Sequence, residues 1–335
     1  MSIVEPGITG WAQVNDMNIK KKLKENPLTK DLYGVLKKKK DVHNYRKDFS
    51  YIDKYESRSK GYDKLCIVLA GYKEFAYNGV FSRIKRYIIP DMDVCVVSSG
   101  IYSDRLSEIC KKNGWSYLST KRNNVCLAQN IAIKINKKAK YIFKLDEDIF
   151  ITEGYFDNML RAYEHSKTGD YIPGVMAPLL LVNGYAHLRI LDKLGLKDVY
   201  EERFESPKYA AGQDRKIESD VNAAKFMWGI TGEVPPLDDL NKSFSTEPLV
   251  ERPCSVRFSI GAILFERKLW RDMGYFKISG SGADMGADEV QICQYCCCNS
   301  RPIKVSENIV VGHLSFGKQN EEMKKYYIEN EEYFC

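Results

Sequence analysis

Tyr141 to Thr152 reads "YIFKLDEDIFIT", an apolar stretch interrupted by three consecutive acids. Bulky apolar and aromatic residues favour an extended, buried strand, and Asp146, Glu147 and Asp148 fall where that strand should end. In extended backbone, residues i and i+2 face the same way, so Asp146 and Asp148 are expected to point together and Glu147 elsewhere. Two like charges held side by side are costly unless a cation joins them. Hard divalent ions, Mg²⁺ or Mn²⁺, take oxygen ligands and often bridge a carboxylate to a substrate phosphate. A polar turn that needs no ion is the competing reading of the same three letters.

Upstream, the chain alternates strands and helices. "KLCIVLAGY" (Lys64–Tyr72) is a short run of β-formers ending at a glycine, as a buried parallel strand does. "DVCVVSSG" (Asp93–Gly100) repeats the pattern and ends in Ser99-Gly100. Between them, Ser82–Tyr87 reads as helix until Pro90 breaks it. "SDRLSEICKKNG" fits a helix capped by Ser103 and stopped by Gly114, "WSYLST" a further strand, and "NVCLAQNIAIKINKKA" an amphipathic helix. This alternation predicts an α/β fold with a mostly parallel sheet flanked by helices, whose ligands bind beyond the C-terminal strand ends.

Downstream, "GVMAPLLLV" (Gly174–Val182) reads as a strand, and residues 184–250 give no clear pattern around a proline-containing loop. "SIGAILFERKLWRDMGYF" (Ser259–Phe276) is a strand followed by a helix, "ADEVQICQYCCCNS" a helix, and "RPIKVSENIVVGHLSFG" a last strand entering a loop. Cys293, Cys296, Cys297 and Cys298 include one CxxC, but no second ligand pair at zinc spacing exists. Helix-packing thiols are the simpler reading of that cluster.

From Lys64 to Phe316, this order of elements and its strand-end acids resemble the GT-A glycosyltransferases, in particular the large inverting family 2 group. The resemblance implies a Rossmann-like GT-A fold and a nucleotide-sugar donor, a UDP-sugar above all. Ala70, Gly71 and Tyr72 would hold the nucleoside, with Ser99 at the neighbouring strand end. Asp146 and Asp148 would carry the Mn²⁺ or Mg²⁺ that binds the donor diphosphate. "RNNVCLAQNIAI" (Arg122–Ile133) resembles part of the group's Asn/Gly/Arg-Asn stretch, with Asn123 and Asn130 as donor contacts. It departs from the pattern at Gln129, where arginine is usual, and in lacking the glycine. "GADMGADEVQIC" (Gly282–Cys293) resembles the Glu-Asp motif at a helix start, placing Asp288 as the base that deprotonates the acceptor hydroxyl. Glu289 and Asp284 are its rivals. In "VVGHLSFGKQN" (Val310–Asn320), His313 would complete the metal site, and Lys318 would neutralise the departing diphosphate.

Composition sets the outer limits. The chain has 335 residues, 44% of them apolar and 12% aromatic, as expected of a folded globular protein. It contains no apolar run long enough to span a bilayer and no signal-peptide pattern at Met1. A cytoplasmic protein is expected. Its net charge of +6 is concentrated: residues 18–60 hold fourteen Lys or Arg against six Asp or Glu, leaving about −2 for the rest. That arm is expected either as a solvated extension or as a peripheral contact with anionic membrane at the inner face. No aromatic-interleaved basic motif recurs, so nucleic acid is not an expected partner.

Ahead of the arm, "VEPGITGWAQVN" (Val4–Asn15) resembles the closing signature of bacterial polyprenyl-phosphate sugar phosphotransferases. That chemistry needs a membrane helix and an acidic nucleophile upstream, for which residues 1–3 leave no room. The string is therefore expected to be a remnant or fused fragment. It hints at a glycan or lipid-linked acceptor in surface polysaccharide synthesis. The expected organisation is an extension over residues 1–62, then a glycosyltransferase domain over 63–335, its nucleotide half at 63–152 and its acceptor half at 153–335. A phosphotransferase and a non-catalytic GT-A-like binding protein are the alternatives.

Overall fold

The computed structural model describes residues 47–209, 215–279, 282–315 and 317–334. The backbone divides into Met1–Tyr51 and Ile52–Cys335. Of the first unit only the end is described, a 3₁₀ turn over Asp48–Tyr51. The string Val4–Asn15 and most of the lysine-rich arm lie outside the described residues.

The second unit is built on one ten-stranded sheet. Its strands are β1 (Ile52–Glu56), β2 (Lys64–Leu69), β3 (Met92–Ser99), β4 (Ser116–Thr120), β5 (Tyr141–Asp146), β6 (Ile149–Phe150), β7 (Val175–Leu180), β8 (Glu251–Pro253), β9 (Ala262–Glu266) and β10 (Ile303–His313). The order across the sheet is β1-β4-β3-β2-β5-β9-β7-β10-β6, with β8 also paired to β10. β4, β3, β2 and β5 run parallel. β9 lies antiparallel between β5 and β7, and β7 and β10 are again parallel to each other.

The parallel block follows from its sequence. Residues Leu65–Val68 and Val94–Val97 are fully buried, because helices cover both faces of such strands. Ser103 caps the helix Asp104–Asn113 by accepting a hydrogen bond from the Leu106 amide, and Gly114 ends it in left-handed conformation. Asn124 caps Val125–Ile135 in the same way, its side chain accepting from the Leu127 amide. The chain passes from β2 outward through β3 to β4, then returns to the other side of β2 as β5. Strand order reverses between β2 and β5, the position where open α/β sheets bind ligands.

β1 lies inside the stretch read from sequence as extension. It pairs antiparallel with β4, Tyr55 opposite Leu118, and forms the sheet edge. The unpatterned stretch 184–250 folds into five short helices: Ala186–Leu194, Lys197–Arg203, Lys216–Ser219, Val221–Met227 and Leu237–Ser245. Gly312 in β10 has no side chain because the Trp228 indole packs against that backbone, and the indole N–H donates to the His313 carbonyl at 3.0 Å. Among the described residues, no helix is long and apolar enough to cross a membrane.

Candidate active site

A cavity of about 410 Å³ opens at the C-terminal ends of β2, β3 and β5. One wall is the loop after β2, from Ala70 to Lys73, with Val97 and Ser99 at the end of β3. Its floor is Lys144 and the acids Asp146, Glu147 and Asp148. Arg257, Asp288, Glu289 and His313 also line it. Five carboxylates thus face three Lys or Arg side chains, so the cavity carries an excess of negative charge.

The three acids do not sit in one extended strand. β5 ends at Asp146, Glu147 and Asp148 form a turn, and β6 begins at Ile149. The expected simple alternation is therefore replaced by three separate engagements. Asp146 Oδ1 lies 2.7 Å from the Lys144 ammonium, which also donates to the Ile260 carbonyl at 2.9 Å. Glu147 turns to the β2 loop and accepts the Gly71 amide at 2.8 Å and the Tyr72 amide at 3.0 Å. Gly71 takes a positive φ of 143°, which aims its N–H at that carboxylate and favours glycine there. Asp148 Oδ2 accepts from the Lys73 ammonium at 2.6 Å.

Burial drives the Asp146 carboxyl above its usual range even though Lys144 pulls the other way. Burial pushes Asp148 in the same direction, but Lys73 and then His313 outweigh it and hold that carboxyl low. Both ammoniums lose hydration on burial, yet Asp148 holds Lys73, and Asp146 with Asp288 holds Lys144, above the ordinary lysine value.

His313 reaches this site through register. β6 pairs antiparallel with β10, Ile149 opposite His313, and the Leu314 amide donates to the Asp148 carbonyl at 3.1 Å. The ring Nδ1 sits 2.7 Å from the Val182 carbonyl, which can only accept, so Nδ1 carries a proton. Nε2 points toward Asp148, 3.5 Å from its Oδ2. An imidazole whose far nitrogen is anchored on a backbone carbonyl is the arrangement of a metal-ligating histidine. The expected trio is nonetheless not assembled. Among the described residues, no three His, Cys, Asp or Glu side chains converge on a common point. Asp146 is engaged by Lys144 instead, while Asp148 and His313 remain as an oxygen–nitrogen pair suited to Mn²⁺.

Also lining the cavity, Asp288 lies in the first turn of the helix Ala287–Cys298 and is 4% exposed. Gln129 donates to its Oδ2 at 2.8 Å. The residue that departs from the family pattern is thus the one that holds the candidate base. The rivals are occupied. Glu289 is paired with Arg257, and burial raises its carboxyl despite that partner. Asp284 sits outside the cavity in a turn with positive φ, accepting from Asn124 at 2.5 Å and from the Ser279 amide at 2.8 Å.

The other expected donor contacts divide. Ala70, Tyr72, Ser99 and Asn123 line the cavity, and Gly71 forms the turn between the first two. The Tyr72 ring stands 61% exposed, its hydroxyl donating to the Ser99 carbonyl at 2.7 Å. Asn130 is a correction. It is 1% exposed, accepts from the Trp270 indole at 2.8 Å and the Phe276 amide at 3.1 Å, and donates to the Phe276 carbonyl at 2.8 Å. Those bonds tie the helix Val125–Ile135 to the loop after Trp270, and Asn130 does not line the cavity. Lys318 is exposed and outside the cavity lining. Cys293 and Cys296 turn inward on their helix, while Cys297 and Cys298 are exposed.

Sequence reading missed Lys73, Lys144, Glu147 and Gln129 as site residues. Lys144 carried a signal, being two residues before Asp146 on the same strand face and ionisable within an otherwise apolar strand. Lys73 and Gln129 carried none.

No protein-family profile matches this chain, and no curated protein sequence does. Similar solved structures exist. GalNAc-T7 with UDP, GalNAc and Mn²⁺ is 12% identical over 78% of this chain and 45% of its own, at a TM-score of 0.43. S. aureus TarS 1–349 with UDP is 11% identical over 74% of this chain and 60% of its own, at 0.42. The mannosyltransferase PcManGT from Pyrobaculum calidifontis with GDP-Man and Mn²⁺ is 11% identical over 85% of this chain and 68% of its own, at 0.45. This chain thus spans less than two thirds of the first two structures it is similar to.

Proposed function

We propose that this chain is a divalent-cation-dependent glycosyltransferase. It moves a sugar from a nucleotide-sugar, a UDP-sugar above all, to a hydroxyl of a glycan or lipid-linked acceptor, with inversion. The observation that carries this reading is that two aspartates with unlike partners line one cavity at the sheet's switch point. Asp148, with His313 beside it, faces the donor side, and Asp288, held by a neutral amide, faces the acceptor side.

Ala70, Gly71 and Tyr72 form the nucleoside wall, and Glu147 fixes their backbone. Asp148 and His313 would hold the cation, with Asp146 the third member of the expected set. Bound there, the cation supplies positive charge against the leaving diphosphate. Asp288 accepts the proton of the acceptor hydroxyl as that oxygen attacks the anomeric carbon, while Gln129 keeps the carboxylate aimed. The N-terminus of its helix favours the ionised form.

The test is a panel of nucleotide sugars incubated with the full chain, with Mn²⁺ or with a chelator, read as nucleotide release. Metal-dependent UDP release is expected, lost in Asp148→Asn. Release that survives both chelation and that substitution overturns the cation's role. UMP in place of UDP would identify phosphoglycosyl transfer instead.

A further inference from the structure

The two lysines at the strand-end acids differ in a way that assigns one of them a second position. Lys144 is locked. Its side chain is 4% exposed, and its ammonium is shared between Asp146 and the Ile260 carbonyl. Lys73 is not. Its side chain is 28% exposed, lines the cavity, and has Asp148 as its hydrogen-bond partner. Its backbone, meanwhile, is fixed independently of its side chain. The preceding Tyr72 amide is held by Glu147, and the Lys73 carbonyl accepts from the Ala76 amide at 2.9 Å. The flexible stem can re-aim its ammonium without moving the loop.

The oxygen that Lys73 holds is Asp148 Oδ2, the same oxygen that lies 3.5 Å from His313 Nε2. An ammonium at 2.6 Å therefore stands where a cation shared by that carboxylate and that imidazole would bind. Two cations on one carboxylate oxygen repel each other strongly at such distances.

We propose that Lys73 is a donor-binding residue with two positions. It neutralises Asp148 in the cation-free protein. When a divalent cation takes Asp148 and His313, Lys73 gives up the carboxylate and turns its ammonium onto the diphosphate of the nucleotide. This rests on the cation-dependent reading above and deepens it. Because the cavity has more carboxylates than lysines and arginines, a diphosphate gains from the released ammonium as well as from the ion. Lys73 thus opposes cation binding in the empty site and favours nucleotide binding in the loaded one, so the two ligands become coupled.

The experiment uses the full chain and its Lys73→Met variant, with no activity readout. Mn²⁺ binding without nucleotide is followed by loss of the free-ion paramagnetic resonance signal. UDP binding at saturating Mn²⁺ is followed by calorimetry. Lys73→Met is expected to bind Mn²⁺ about tenfold more tightly and UDP about tenfold more weakly, each near 1.4 kcal/mol. Lys73→Gln, which keeps polarity without charge, should give the same pair of shifts, and Lys73→Arg should restore UDP affinity. Opposite signs are the signature, because a loosened fold lowers both affinities together. Unchanged or weaker Mn²⁺ binding in Lys73→Met, in a chain whose Mn²⁺ binding is lost in Asp148→Asn, overturns the two positions of Lys73 alone. Wild-type Mn²⁺ binding that is absent, or indifferent to Asp148→Asn, overturns the cation reading beneath it.

Discussion

Two clusters of three acids, all but Asp284 lining the cavity, keep different company. At the end of β5, Asp146 and Asp148 each face an ammonium, and Glu147 faces two backbone amides. At the start of the helix Ala287–Cys298, Glu289 faces a guanidinium, while Asp284 and Asp288 are held by the side-chain amides of Asn124 and Gln129. An ammonium stabilises a carboxylate as an anion and makes it a poor base. An amide orients a carboxylate and adds no full charge of its own, and the Lys144 ammonium, in contact with Asp146, acts on Asp288 without touching it. Identical functional groups are thus sorted by their partners into one set suited to holding cations and another that includes a proton acceptor.

The most direct way to break that contrast is Asp288→Asn. The amide keeps the side chain's size but cannot accept the acceptor's proton. Turnover is expected to fall about 10²- to 10⁴-fold, the range for loss of a general base. Affinity for UDP with Mn²⁺ should change little, because the cation-holding acids are untouched. An undiminished rate would remove Asp288 as base. A parallel loss of nucleotide affinity would mean that the two clusters are not separable.

Much of this arrangement was legible, and the failures have physical causes. The parallel block was visible because strands covered on both faces must be apolar throughout, as Leu65–Val68 and Val94–Val97 are. β1 was hidden in the lysine-rich stretch because an edge strand exposes part of its surface, and "IDKYE" alternates too weakly to announce itself. The helices of 184–250 run only four to nine residues, less than the length over which helical periodicity can be read. Asp288 and His313 were reached through the resemblance of the motifs around them, and both line the cavity. Their partners could not be, since Gln129 and Asp288 stand 159 positions apart and meet only through the fold. Asn130 misled for the same reason. An asparagine on a helix beside a ligand loop looks alike whether it faces the ligand or, as here, a tryptophan.

Outside the cavity, His187 shows what burial does to a charge that is offered no acid. Its Nδ1 rests on the Asn183 carbonyl at 2.9 Å, one residue beyond the carbonyl that anchors His313, and its ring packs on Tyr200. Burial above all, with Arg215 adding to it, lowers its pKa from 6.5 to about 4, although the carbonyl contact opposes the shift. The unfolded chain therefore binds a proton between pH 6.5 and 4 that the folded chain refuses, and stability falls as pH falls through that window. The shift is worth up to about 3 kcal/mol. His187→Phe removes the titration. Its urea-unfolding free energy should lose less stability than wild type between pH 7 and 4.5, by about one proton's slope. Identical slopes would show that His187 does not carry this dependence.

The smallest effect is expected at Glu147, where the comparison is sharpest because the neighbouring acids are left intact. Its carboxylate satisfies the Gly71 and Tyr72 amides together, one residue from each aspartate. Burial raises its carboxyl, but the backbone donors of the β2 loop draw it back toward the anion. In Glu147→Gln one oxygen can still accept both amides, as Oε2 does, but the negative charge is lost and the new NH₂ group replaces the oxygen that shares the Tyr72 amide. Replacing a charged acceptor by a neutral one weakens such bonds by about 1 kcal/mol, which urea unfolding at pH 7 would read directly. Because the loop it releases is the nucleoside wall, UDP affinity should weaken by a similar amount. Mn²⁺ binding, which depends on Asp148 and His313, should not weaken with it. If Mn²⁺ affinity falls as far as UDP affinity does, Glu147 belongs functionally with the cation-holding acids, and its separation from Asp146 and Asp148 is only geometric.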